Sequence, residues 1–105
     1  MKEKKYLYLL LIIFFNLIFY QAKSDELLKN GKDIFLNKAN CASCHMLKDA
    51  GSNGQIGPNL DEIRPEKNRV IVAVTNGIGV MPAYQGQLTV EEIEAVSYYV
   101  SKSVN

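Results

Sequence analysis

The chain begins with a long apolar segment and continues with shorter segments in which apolar and charged residues alternate. Residues 6–20 are apolar apart from Asn16, three lysines lie among the first five residues, and the small residues Ala22 and Ser24 follow. A basic segment, an apolar segment and a small-x-small pattern in this order predict a secretory signal peptide over residues 1–24. The alternative is an uncleaved membrane anchor, although an apolar segment of fifteen residues is short for a bilayer span.

Two later segments carry the apolar spacing of amphipathic helices. The first covers residues 25–40, where Gly31 lies on the same face as Phe35, so we expect another element to approach closely there. The second begins with the capping box Thr89-x-x-Glu92 and runs to about Ser103. Its apolar stripe comprises Ile93, Val96, Tyr99 and Val100.

The segments between these two helices are less regular. Residues 49–59 are dense in turn-forming residues and predict a loop, and a short helical turn is expected over 60–64. Residues 66–77 are ambiguous, because their β-branched residues favour a strand while Pro65 and Gly77 suit the start and end of a helix.

Length and charge limit the possible functions. Residues 25–105 form one small domain of 81 residues, with eight basic and ten acidic side chains and a formal charge of −2. This mildly acidic balance gives no support for nucleic-acid binding. A domain of this size usually needs a disulfide, a metal or a large cofactor to complete its core.

Both cysteines and the only histidine of the chain lie in the stretch NCASCHM, residues 40–46. A thioredoxin-like dithiol would need a preceding strand, but a helix is predicted there. A zinc site needs four ligands, and Cys41, Cys44 and His45 supply only three. The remaining chemistry for C-x-x-C-H is covalent attachment of haem c, with Cys41 and Cys44 as thioether anchors and His45 as the proximal iron ligand.

A second axial ligand must come from the opposite face of the haem, and no second histidine exists. Met1 belongs to the predicted signal peptide, and Met46 is held on the proximal face by its neighbour His45. Met81, within a glycine-rich segment, is therefore the predicted distal ligand. The alternative is that Met81 only fills a gap in the core.

The chain resembles the class I cytochromes c in several places along residues 25–105. The matching features are Gly31 and Phe35, CASCH, GPNL, NGIGVMPAY and SYYVSKS. This resemblance implies an all-α fold in which the N- and C-terminal helices cross around one covalently bound haem, with Gly31 and Phe35 against Tyr99. It also implies that residues 66–77 are helical. The carbonyl of Pro58 resembles the family's acceptor for the second ring nitrogen of the proximal histidine, although Pro58 could also be an ordinary turn proline.

The sequence departs from the family pattern in having no tryptophan, so other groups must meet the haem propionates. Arg64, Lys67 and Arg69 are candidates, and the alternative for each is an ordinary solvated charge. Ile78, Val80 and Tyr84 are predicted to border an exposed haem edge.

These features predict a one-electron carrier rather than an enzyme. We expect a monomer outside the cytoplasm, in a periplasm or a thylakoid lumen, that shuttles electrons between larger respiratory or photosynthetic redox complexes. No nucleic-acid partner is expected, and the membrane would be contacted only through an uncleaved N-terminal segment. One alternative is a haem-based sensor or small-ligand binder in which Met81 does not ligate, and another is a thiol oxidoreductase.

Overall fold

The computed structural model describes residues 2–105, which form four α-helices and one very small hairpin. The helices are α1 (Lys2–Asp33), α2 (Leu60–Ile63), α3 (Lys67–Asn76) and α4 (Val90–Val104). The strands β1 (Met46–Leu47) and β2 (Ser52–Asn53) pair antiparallel, with Met46 opposite Asn53. The helical class predicted from the sequence is confirmed, whereas the hairpin within residues 46–53 was not predicted.

Helix α1 runs through the predicted signal peptide and into the first helix of the domain without a break. Its side chains from Lys2 to Lys23 are exposed, and its one buried residue is Gly31. By length and composition α1 could cross a membrane, a property that signal sequences share. Cleavage after Ser24 therefore stays a prediction.

The end of α1 crosses α4 at the glycine that the sequence singled out. A Cβ at Gly31 would lie 2.5 Å from the Cβ of Tyr99 and closer still to the carbonyl oxygen of Ala95. Phe35 and Tyr99 meet edge to face, with ring centroids 5.9 Å apart. The predicted close approach is confirmed, because only a glycine lets the two backbones come this near.

Helix α4 supplies much of the core and begins as predicted. The Thr89 side chain accepts from the Glu92 amide and the Glu92 side chain accepts from the Thr89 amide, which completes the capping box. The whole predicted apolar stripe of α4 is buried. Ser97 is also fully buried, and its hydroxyl makes no hydrogen bond within residues 2–105.

The ambiguous segment is helix α3, as the family resemblance implied. Val70 and Val74 are buried while Val72 is 59% exposed, which is a helical rather than a strand pattern of burial. Gly77 ends the helix with a φ of 73°. Because α3 packs against α4, burial of one helical face decides a choice that local propensity left open.

Candidate haem site

The two cysteines lie on a tight turn directly after the first helix. That helix ends in one π-helical turn, Ile34–Lys38, and Asn40 then takes a left-handed conformation with a φ of 51°. The carbonyl oxygen of Cys41 accepts the amides of Cys44, at 3.1 Å, and of His45, at 2.9 Å. The turn thus places both thiols and the imidazole within one compact loop, with all three side chains half-buried.

The thiol environment does not suit redox catalysis. Burial raises the pKa of the Cys41 thiol to about 11, whereas a reactive dithiol needs a thiolate stabilised at lower pH. Among residues 2–105 no group of three or more cysteine, histidine or carboxylate side chains is placed to hold a metal ion. The burial of Cys41 therefore disfavours the dithiol hypothesis for C-x-x-C-H.

The imidazole of His45 is fixed by two contacts with the following loop. Its Nδ1 lies 2.8 Å from the carbonyl oxygen of Pro58, which can only accept, so Nδ1 carries the proton. The ring lies against Gly57, where an added Cβ would fall 2.5 Å from the His45 Cε1 atom. This arrangement leaves Nε2 as the nitrogen with a lone pair for a metal.

The loop after the cysteines is held to His45 by contacts that the sequence did not reveal. The Ser52 hydroxyl donates to the carbonyl of His45 at 2.9 Å and accepts from the Leu47 amide at 3.0 Å. A Cβ at Gly54 would fall 2.5 Å from the carbonyl carbon of Cys44. The GPNL stretch pointed to the region of Gly57, but nothing in the sequence indicated Ser52 or Gly54.

The sulfur of Met46 accepts a hydrogen bond from Asn59, the residue that follows Pro58. The Asn59 side-chain amide donates to the Met46 sulfur at 3.2 Å, and the Asn59 carbonyl oxygen accepts amides of α2. Met46 thus belongs to the loop that fixes His45, and its exclusion as a distal ligand stays a prediction.

Met81 lies at the end of a tight turn in the connection between α3 and α4. Ile78 and Met81 exchange both backbone hydrogen bonds, at 3.1 and 2.9 Å, and Gly79 within this turn has a φ of 56°. A Cβ at Gly77 would lie 2.7 Å from the carbonyl oxygen of Met81. The two glycines allow the turn to fold back on itself, and Met81 packs half-buried against the core.

Tyr84, one of the residues predicted to border the haem edge, contacts the segment that precedes the cysteines. Its ring is half-buried against the core, and its hydroxyl donates to the carbonyl of Ala39 at 3.0 Å. Burial raises the pKa of the Tyr84 hydroxyl. Ile78 and Val80, the other two residues predicted to border the haem edge, are 68% and 87% exposed.

Two of the cations considered for the propionates have other partners. Arg64 donates to the carbonyl of Val104 at 2.7 Å, at the end of α4, and Lys67 pairs with Glu94 at 2.6 Å. The first contact satisfies one of the free carbonyls of a helix terminus. Arg69 is exposed on α3.

Comparisons with known proteins agree with this arrangement. Residues 26–100 match the family described as cytochrome C oxidase, cbb3-type, subunit III. Cytochrome c6 of Microcystis aeruginosa is 41% identical over 75 residues, which cover 68% of this chain and 90% of that protein. The chain belongs to the class I c-type cytochromes.

Other c-type cytochromes match this one over more of its length. Cytochrome c6 of Pyropia yezoensis is 36% identical over 112 residues, covering 98% of this cytochrome and 96% of the relative. The crystal structure of the c-type cytochrome SorU from Sinorhizobium meliloti has 52% identity and a TM-score of 0.72, covering 76% of this chain and 93% of its own.

This cytochrome carries covalently bound haem c, and the described residues fit that group. Two thiols separated by two residues can reach the two vinyl groups on one side of a haem. The adjacent imidazole is oriented through Nδ1 and has Nε2 available for iron. A separate loop offers the Met81 thioether as a candidate for the second iron ligand.

Proposed function

We propose that this cytochrome is an extracytoplasmic one-electron carrier that shuttles electrons between larger redox complexes, and that it is not an enzyme. The observation that supports this most strongly is the geometry of His45. Its Nδ1 donates to Pro58 and its ring lies against Gly57, which orients Nε2 as an axial ligand. When bound, haem supplies an iron that changes between the ferric and ferrous states.

In this proposal each site residue has one role. Cys41 and Cys44 form the thioethers, His45 is the proximal ligand, Pro58 orients it and Met81 is the distal ligand. With His45 and Met81 both bound, the iron would keep no free position for oxygen or a substrate. The thioether is a soft donor that favours ferrous iron, and it therefore raises the midpoint potential.

The surface and the N-terminus support the rest of the proposal. Exposed apolar side chains, including Ile56, Ile78 and Val80, are available for brief contact with redox partners. The basic start and apolar helix of residues 1–24 fit a signal sequence that directs residues 25–105 to a periplasm or a thylakoid lumen. The proposed carrier acts as a monomer.

Haem extraction and optical spectra of three variants test the proposed roles of the cysteines and of Met81. The Cys41→Ala, Cys44→Ala double variant should lose all haem to acid-acetone extraction, whereas the wild type should lose none. Met81→Ala should lose the sulfur-to-iron charge-transfer band of the oxidised protein, because no other thioether reaches the distal face. Met46→Ala is the matched control and should keep that band.

Two results would contradict this proposal. Persistence of the charge-transfer band in Met81→Ala would exclude Met81 as the ligand. Rapid binding of carbon monoxide to the reduced wild-type protein would show an open iron position and favour a sensor or ligand binder instead.

A further inference from the structure

One side chain of the loop that carries Met81 reaches outside that loop. The methionine loop, residues 77–89, joins α3 to α4. Among the described residues, Tyr84 is the one residue of this loop whose side chain hydrogen-bonds to the segment that carries the cysteines. Its acceptor, the carbonyl of Ala39, lies only two residues before Cys41.

The acceptor is a group that needs a partner. Ala39 caps the π-helical turn at the end of the first helix, and carbonyls at a helix end lack intrahelical donors. The Tyr84 hydroxyl supplies a donor at 3.0 Å across a sequence separation of 45 residues. The contact therefore links the end of the first helix to the methionine loop.

The backbone of Tyr84 is fixed at two further points. Its amide donates to the carbonyl of Val74, at 2.8 Å, in α3. Its carbonyl accepts the amides of Gln87 and Leu88, both at 2.9 Å, just before α4 begins. Tyr84 is thus where the loop is joined to α3, to the approach to α4 and to the cysteine-bearing segment.

We propose that Tyr84 is a positioning residue for Met81, which fastens the methionine loop to the cysteine-bearing segment and so keeps the Met81 sulfur on the iron. The proposal rests on Met81 being the distal ligand, as proposed above. Three residues span at most about 11 Å of extended chain, so Met81 has little freedom to move away while Tyr84 stays bonded.

This contact should affect how easily an external ligand displaces the Met81 sulfur from the iron. A thioether is a weak ligand for ferric iron and is displaced by nitrogen donors such as imidazole once the loop moves aside. Loop movement must break the Tyr84 contact to Ala39, which opposes displacement. Removal of the hydroxyl alone should make displacement easier without loss of the core packing of the ring.

The test uses the oxidised holoprotein with the substitution Tyr84→Phe and imidazole as the competing ligand. We expect imidazole to bind roughly three- to tenfold more tightly than to the wild type, the range set by the usual net contribution of one hydrogen bond. The midpoint potential should fall, because weaker thioether ligation favours ferrous iron less. Tyr98→Phe is the control, since Tyr98 instead contacts Ser24 at 3.0 Å, and its imidazole affinity should equal that of the wild type.

The outcomes separate this inference from the proposed function. If the wild type lacks the sulfur-to-iron band, Met81 ligation itself is wrong. If the band is present and Tyr84→Phe binds imidazole as the wild type does, the positioning role is wrong.

A second measurement on the wild type needs no variant. The amide of Met81, bonded to Ile78, and that of Tyr84, bonded to Val74, should have the same protection factor, because one opening of the loop would release both. A protection factor at Met81 more than tenfold lower than that at Tyr84 would show that the loop moves without releasing Tyr84, which would overturn the inference.

Discussion

At the scale of single residues, glycine at position 57 determines how the proximal imidazole lies. The His45 ring occupies the space that a side chain at position 57 would need, and the Gly57 amide donates to the Cys44 carbonyl at 2.8 Å. Gly57 thus fixes the loop and makes room for the ring at the same time. The Nδ1 contact to Pro58 depends on this fit.

We expect Gly57→Ala to tilt the His45 ring and weaken its hydrogen bond to Pro58. The imidazole then becomes a less basic ligand, which stabilises ferric iron less and raises the midpoint potential. A three- to tenfold change in relative stabilisation corresponds to about 30–60 mV for a one-electron couple. Potentiometric titration of the holoprotein measures the shift.

The matched control is Gln55→Ala, an exposed position in the same loop. Its potential should equal that of the wild type. An unchanged potential in Gly57→Ala would mean that the loop adjusts to the methyl group and that Gly57 does not position the ring.

The sequence identified the chemical groups of the site and one support, the carbonyl of Pro58, but not Ser52 or Gly54. Cys41, Cys44 and His45 form a local motif with its own spacing, and Met81 remained after elimination. Ser52 and Gly54 act through backbone groups of the motif. Such contacts depend on the three-dimensional path of a loop, and no residue pattern encodes them.

At the scale of elements, helix α4 has a stabilising N-terminal capping box and one destabilising buried residue, Ser97. Its capping box and buried apolar stripe were both predictable, because each follows a local pattern. Ser97 lies within the same helix, fully buried and without a hydrogen-bond partner among the described residues. Removing a polar group from water without giving it a partner destabilises the fold.

We expect Ser97→Ala to increase the free energy of unfolding by about 1 kcal/mol, because it removes an unsatisfied buried hydroxyl and improves helix propensity. Chemical denaturation of the holoprotein measures the change. Ser101→Ala provides the comparison, since the Ser101 hydroxyl donates to the Tyr98 carbonyl at 3.2 Å. A loss of stability in Ser97→Ala would show that its hydroxyl has a partner, such as a bound water.

Helix α3 shows what local patterns leave open. Its β-branched residues are compatible with either a strand or a helix, and the family resemblance rather than the residues themselves favoured the helix. Packing of Val70 and Val74 against the core is a tertiary effect that intrinsic propensity does not contain.

At the scale of the whole molecule, the first 24 residues contribute little to the domain. Side chains from Lys2 to Lys23 are exposed, and the Ser24 hydroxyl meets that of Tyr98. Packing of α1 against the core begins at Leu27 and Leu28. The domain core is therefore complete without the predicted signal peptide.

A holoprotein that begins at Asp25 should melt within about 8 °C of the full chain, because one partly exposed hydrogen bond contributes at most about 1 kcal/mol. Its visible spectrum should be unchanged. Thermal melts of the two forms make the comparison. A larger fall would show that residues 1–24 support the fold and would weaken the assignment of a cleaved signal peptide.

The contact between His45 and Pro58 has a consequence for mutational mapping. The acceptor is a main-chain carbonyl, and every amino acid at position 58 supplies one. Alanine scanning removes side chains only, so it would record position 58 as silent while the imidazole kept its partner. The importance of this contact would become visible only through changes that divert the backbone, such as those at Gly57.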